Sequence, residues 1–166
     1  MLLTHRLMLT GLPVATLAAS PALAQTAELT ITVPRLSVAE YHRPYVAAWI
    51  EAPGKPAQTM FVWFDTKLKN NEGQKWLRDV RQWWRASGRT LALPNAVSGA
   101  TRAPGTHKVA LPIRGLAGGQ YTLVVEAARE GGGRELLRLP FAWPPKGNAS
   151  AAGKTELGAV SLAFRR

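Results

Sequence analysis

The chain has 166 residues, with 21 Lys and Arg against 10 Asp and Glu for a formal net charge of +11, and no cysteine. The missing cysteine excludes a disulfide framework, thiolate metal ligation and a lipoprotein anchor. The charge points to anionic partners such as acidic proteins, lipid headgroups or phosphorylated cofactors, or else to a solvated surface that keeps the protein soluble.

Residues 1–24 read as a secretory signal peptide. His5 and Arg6 precede an apolar run from Leu7 to Ala19, and Ala22-Leu23-Ala24 has the small-residue form of a cleavage site. The run contains Gly11 and Pro13 and is too short to cross a bilayer, and no later segment approaches about 18 apolar residues. This predicts an exported, periplasmic chain that is not membrane-embedded, with residues 25–166 forming a single monomeric domain. Nucleic acid is not an expected partner in that compartment.

Residues 29–33 (LTITV) alternate strictly and stop at Pro34, the signature of a half-buried strand. Residues 45–51 (YVAAWIE) read as a second strand, closed by the turn signal APGKP at 52–56, and 59–64 as a third. The spacing suggests a hairpin in which Trp49 and Trp63 compete for the same core. Over 74–85 the period changes: Trp76, Leu77, Val80, Trp83 and Trp84 recur at helical spacing, which predicts one inserted α-helix at about 74–86, ended by Ser87-Gly88. Adjacent Trp83 and Trp84 point about 100° apart on a helix, so one of them is expected at the surface, while tryptophans so spaced otherwise belong to a core. Residues 95–102 (NAVSGATR) read as a turn, followed by the Pro-Gly turn at 104–105 and a short strand at 106–112. Two strands at 120–128 and 134–143, linked through Gly131-Gly132-Gly133, make a hairpin. A polar loop at 144–153 leads to a terminal strand at 157–164. Seven strands and one helix predict a mainly β fold: an immunoglobulin-like antiparallel β-sandwich with one inserted α-helix.

The residues offer little catalytic chemistry. His5, His42 and His107 have no metal-ligand spacing, there is no G-x-S-x-G, and the carboxylates are dispersed or sit beside arginine, as in residues 126–130 (EAARE), which reads as surface ion pairing. Neither a metal centre nor an autonomous enzyme is expected. The segment Tyr41-His42-Arg43-Pro44-Tyr45 is an aromatic and basic cluster in which Pro44 holds Arg43 extended, suited to binding an anion or simply to starting a strand.

Residues 97–101 (VSGAT) resemble the acceptor motif of proteins that carry covalently bound FMN through a phosphoester to threonine, as in the flavin-bearing subunits of sodium-pumping quinone reductases and their electron-transport relatives. The resemblance implies that Thr101 is the attachment residue, with Ser98, Gly99 and Ala100 completing the motif, and that a separate flavin transferase performs the attachment. Gly99 and Ala100 would let the backbone enter a narrow active site, while Asn95 and Ser98 shape the turn through side-chain to backbone hydrogen bonds. Arg102, next to the acceptor, is suited to holding the phosphate, and Trp83 or Trp84 to shielding the ring. Asn95 stands where the motif prefers aspartate, and Arg102-Ala103-Pro104 replaces the small hydroxyl residues that often follow. The alternative is that Ser-Gly-Ala-Thr is an ordinary small-residue turn.

Several further blocks extend the comparison over most of the chain: Tyr41-x-x-Pro44-Tyr45-Val46-Ala47-x-Trp49-Ile50-Glu51, Lys75-Trp76-Leu77-x-Asp79, and Gly119-x-Tyr121-x-Leu123-x-Val125-Glu126-Ala127-Ala128-Arg129-Glu130. With Ser98-Gly99-Ala100-Thr101-Arg102-x-Pro104-Gly105 they resemble the domain of unknown function 2271 family of predicted periplasmic bacterial proteins. That resemblance implies single immunoglobulin-like domains in a setting of extracytosolic electron transfer, with a flavin transferase and a membrane redox protein as partners. Where similar domains place an aspartate-rich turn, this chain has LPIRGLAG at 111–118. Two functions follow as expectations, with a third beside them. One is a redox-accessory or electron-carrier protein with FMN on Thr101. The other is a non-catalytic binding or adaptor domain that docks an acidic membrane or periplasmic partner; a sugar-binding module using exposed tryptophans is a third.

Overall fold

The computed structural model describes residues 26–93, 95–113 and 115–165, so the signal peptide read at 1–24 lies outside the described residues. Strands β1 (Thr26–Val33), β5 (Gly105–Leu111), β8 (Ala149–Ala152) and β9 (Ala159–Arg165) form a four-stranded sheet in the order β5-β1-β9-β8. Strands β2 (Tyr45–Glu51), β3 (Gln58–Phe64), β4 (Ser98–Ala100), β6 (Gly119–Ala128) and β7 (Arg134–Trp143) form a five-stranded sheet in the order β4-β3-β2-β6-β7. The mainly β sandwich expected from the sequence is therefore the architecture of the chain. The order of the larger sheet is that of the C″C′CFG sheet of an immunoglobulin variable-type domain, and the C-terminal β9 lies beside β1, where the first strand of such a domain would lie. Tyr121, at the start of β6, donates its hydroxyl to the Ala117 carbonyl at 2.7 Å, the tyrosine corner of such sandwiches.

Alternation decides which side chains meet. Ala27, Leu29 and Ile31 of β1 and Val160 and Leu162 of β9 face Val46, Ala48, Ile50, Trp63, Leu123, Val125 and Leu139 of the larger sheet, and together they form the core between the sheets. β2 and most of β6 are buried on both faces, because a helical insertion covers the outer face of the larger sheet. That second burial explains the near-continuous apolar runs of residues 45–50 and 60–64, where a strand with one wet face would alternate.

Trp49 and Trp63 do not share a core. Trp63 pairs with Val46, an odd three residues from Trp49, so the two indoles project from opposite faces. Trp63 lies between the sheets and Trp49 under the insertion. The pairing of β2 with β3 shifts register between Ala48 and Trp49, where Met60 is the extra residue of a bulge.

The expected single helix is broken. α1 (Glu72–Lys75), a 3₁₀ turn (Trp76–Asp79) and α2 (Arg81–Ala86) follow one another, with Val80 non-helical at φ −78° and ψ 73° between the last two. Leu77, Val80 and Trp83, all buried on the sheet, are spaced by three, which a straight α-helix would fan over about 120° of its surface. The 3₁₀ turn and the break keep all three on one side. Their burial contributes about 2 kcal/mol each to holding the insertion in place.

Two further differences concern strands. β8 forms inside the segment read as a polar loop, completing the smaller sheet beside β9. β4 occupies the segment read as a turn and pairs parallel with β3, the one departure from an antiparallel arrangement among the described strands. The parallel direction follows from the helical insertion, which carries the chain back alongside β3 as far as Val62, as a crossover does.

Candidate functional site

Strand directions gather one end of the larger sheet into a cleft. β2 begins there, β3, β4 and β6 end there, and β7 begins there, as the pairs Tyr45 with Ala128, Ala128 with Arg134, and Phe64 with Ala100 record. The segments that overhang these strand ends enclose an open cleft of about 1020 Å³. One wall carries Tyr41, His42 and Arg43 before β2, and a second carries Asp65, Lys67 and Leu68 after β3. Trp76, Asp79 and Arg81 come from the insertion, Ala100, Thr101 and Arg102 from the end of β4, and Arg129 to Arg134 from the β6–β7 turn.

The structure thus joins two segments that the sequence singled out separately, the aromatic and basic cluster at 41–45 and the Ser-Gly-Ala-Thr-Arg segment. It also changes what the second segment is. Ser98, Gly99 and Ala100 are an edge strand, held by the Val62 N–H on the Val97 carbonyl at 2.7 Å and the Thr101 N–H on the Phe64 carbonyl at 3.1 Å. Thr101 and Arg102 leave that strand at the cleft rim. Gly99 has a packing reason: a Cβ there would stand 3.2 Å from Cδ1 of Trp63. Ser98 Oγ reaches the Leu93 carbonyl only at 3.5 Å, and Asn95 is exposed in the preceding turn.

The Arg102 guanidinium lies over the Trp63 ring, 5.3 Å from its centroid, so one edge of the inter-sheet core is closed by a cation rather than an apolar side chain. His107 meets the same indole edge-on at 5.8 Å, its ring nitrogen bonded to the Ala103 carbonyl at 2.8 Å.

Tryptophan placement corrects another expectation. Trp83 is fully buried and donates its Nε1–H to Thr59 at 3.0 Å, while half-buried Trp84 packs against it; neither lines the cleft. The cleft tryptophan is Trp76, 47% exposed, and beside it Leu68 is 41% exposed. Neither Leu68 nor Arg81 carries a local sequence signal; Leu68 reaches the cleft on the segment after β3, and Arg81 directly follows the break at Val80.

The carboxylates of residues 126–130 are not surface ion pairs with their sequence neighbours. Glu126, fully buried, accepts the N–H groups of Gln82 and Trp83 at the start of α2 and lies 3.5 Å from the Arg134 guanidinium. Arg129 instead forms a two-point pair with Glu156 at 2.9 and 3.1 Å, and the Gly133 N–H also donates to Glu156. Both partners are almost wholly buried. The Glu156 hydrogen bonds hold the Arg129 guanidinium above its ordinary pKa. Only Glu130 behaves as an exposed carboxylate, beside His42 at 3.7 Å.

Arg129 and Arg134 are thereby occupied within the fold. Among the described residues, Arg43, Lys67, Arg81 and Arg102 make no salt bridge. The Tyr41 hydroxyl, on the same cleft, is buried without a hydrogen-bond partner among the described residues. Burial, more than any neighbouring charge, raises its pKa.

These features define a β-sandwich domain with a cationic cleft at one end of its larger sheet. Residues 26–159 match the family model described as "Predicted periplasmic protein (DUF2271)", and the chain belongs to that family. The periplasmic location read from the sequence agrees with that description. No curated protein and no solved structure matches the chain.

Proposed function

We propose that this protein is a periplasmic redox-accessory or electron-carrying domain that bears FMN on Thr101, loaded by a separate flavin transferase. The supporting observation is the position of Thr101: it follows an edge strand, is fixed through its backbone to Phe64, and lines a cleft rich in arginine. The residues fit the group. A hydroxyl stands at the rim, Arg102 is the next residue, and exposed Trp76 and Leu68 supply an apolar wall.

In the loading step the Thr101 oxygen attacks the flavin-side phosphorus of a flavin adenine dinucleotide. The bond between the two phosphates breaks, AMP leaves, and the hydroxyl proton passes to a base that the transferase provides. No oxidation state changes. The chain's own part is to present Thr101 at the end of the edge strand β4, and to surround the new phosphoester with guanidinium groups. Once bound, the flavin supplies reversible electron transfer, and the protein supplies position and electrostatics. The excess positive charge suits docking to an acidic membrane redox partner.

The test is co-expression with a flavin transferase in an exporting host, followed by intact mass and visible absorbance. A yellow protein heavier by one FMN, with the addition lost in Thr101→Ala, is the expected result. An unmodified wild-type chain under those conditions overturns the reading.

A further inference from the structure

We propose that the cleft is also a noncovalent binding site for a planar aromatic ligand that carries a phosphate, and that it recognises such a ligand without any bond to Thr101. The choice of flavin as the probe rests on the function proposed above; the site itself rests on three observations.

First, the charges on the cleft are unbalanced in a particular way. Six basic side chains line it against the carboxylates of Asp65, Asp79 and Glu130. Asp65 accepts the Lys67 backbone N–H at 2.9 Å, and Glu130 stands beside His42. Arg129 and Arg134 are engaged by Glu156 and Glu126. Arg43, Lys67, Arg81 and Arg102 come from four separate segments and share one opening. Like charges brought together this way repel unless an anion sits among them, and guanidinium forks match phosphate oxygens in pairs.

Second, the apolar surface is in the same place. Only three large hydrophobic side chains are exposed among the described residues, and two of them, Leu68 and Trp76, line this cleft. An indole face and a leucine beside cations form a surface for a flat, electron-poor ring, which gains stacking on one side and phosphate pairing on the other. A purely inorganic anion has no use for them.

Third, the Tyr41 hydroxyl has no hydrogen-bond partner among the described residues. A buried hydroxyl left without a hydrogen bond costs about 1–3 kcal/mol, and a ligand oxygen at the cleft wall would satisfy it. The neighbouring Arg129 and Glu156 groups bond one another and Gly133 rather than this hydroxyl.

The experiment uses the mature chain made without a flavin transferase, titrated with FMN and followed by quenching of flavin fluorescence. Saturable one-to-one binding is expected. Riboflavin, which lacks the phosphate, should bind about tenfold more weakly or worse, and pyrophosphate should compete. Arg43→Gln combined with Arg81→Gln should lower FMN affinity by about tenfold or more, since two charge-assisted contacts are removed. Trp76→Ala should reduce the quenching. The three substituted side chains lie on the cleft, and an unchanged thermal midpoint confirms that each variant is folded. The proposal is overturned if FMN does not bind, if riboflavin binds as tightly as FMN, or if the double arginine variant binds as the wild type does. Failure of covalent loading with noncovalent binding intact removes only the attachment at Thr101. Loading without noncovalent binding removes only this inference.

Discussion

The Glu126 carboxylate accepts the backbone N–H of Trp83 at 2.9 Å, fastening the helical insertion to the outer face of the larger sheet. Glu126 is fully buried, and it also accepts the Gln82 N–H, so it satisfies two of the amide groups that the start of α2 would otherwise leave unpaired. Glu126→Ala should destabilise the protein by about 3 kcal/mol, because it strips both amides and leaves Arg134 without its carboxylate. Glu126→Gln keeps one acceptor and should cost about 1–2 kcal/mol. Urea unfolding measures both, and faster hydrogen exchange at the Trp83 amide in the alanine variant would trace the loss to the insertion.

Arg129 and Glu156 test a different physical term. Their side chains are only 7% and 3% exposed, so each charge depends on the other. Replacing Arg129 alone with Met should cost about 3–5 kcal/mol, since the Glu156 charge stays buried with only the Gly133 N–H to meet it. Replacing both together, Arg129→Met with Glu156→Leu, should cost much less than the sum. A double-mutant cycle by chemical denaturation reads the coupling, and strictly additive losses would contradict the pairing.

These two carboxylates show where sequence reading stopped. Hydrophobic alternation or unbroken apolar runs, set off by Pro or Gly, mark seven strands and the sandwich, because burial on one face leaves a period of two and burial on both leaves a continuous run. The partners of Glu126 and Arg129 lie 43 and 27 residues away, and nothing in the local pattern of residues 126–130 points to them. Adjacency in sequence suggested pairs that the strand geometry separates. β4 was hidden for another reason. Its Ser-Gly-Ala composition has little strand propensity, and its pairing is through backbone groups that sequence does not display. The candidate site was half legible. Thr101, Arg102 and the 41–45 cluster were visible as motifs, while their meeting in one cleft depended on the parallel direction of β4, and the identity of the exposed tryptophan depended on the break at Val80.

Gly73 marks the closest approach of the insertion to the sheet end. A Cβ at this buried position would land on the Asp65 carbonyl oxygen, and its own carbonyl accepts the Tyr45 hydroxyl at 3.1 Å. Gly73→Ala therefore forces the backbone apart where neither side is a flexible side chain. A loss of about 2–3 kcal/mol is expected, with the insertion lifting from the cleft wall. Thermal unfolding gives the first figure. Tyr45 reports the second: Tyr45→Phe removes the same tether and should cost only about 1 kcal/mol, so a Gly73→Ala variant no weaker than Tyr45→Phe would refute the steric account.

Glu135 should contribute to acid sensitivity. Burial alone raises its carboxyl pKa, but the backbone N–H groups of Leu157, Lys154 and Thr155, at 2.9, 2.6 and 3.0 Å, stabilise the charged form and leave the pKa net below the ordinary 4.5. A depressed carboxylate pKa in the folded state contributes stability that is fully present above the unfolded value. As the pH falls from 4.5 through the lower folded value, the unfolded chain takes up the proton first, and the contribution is lost. Glu28 and Glu51 are shifted in the same direction, so the total acid slope belongs to all three. A difference isolates Glu135: the stability gap between wild type and Glu135→Gln, measured by urea unfolding, should be constant above about pH 6 and narrow by about pH 3. A gap that stays the same down to the lower pH would show that the carboxylate is not held by those three amides.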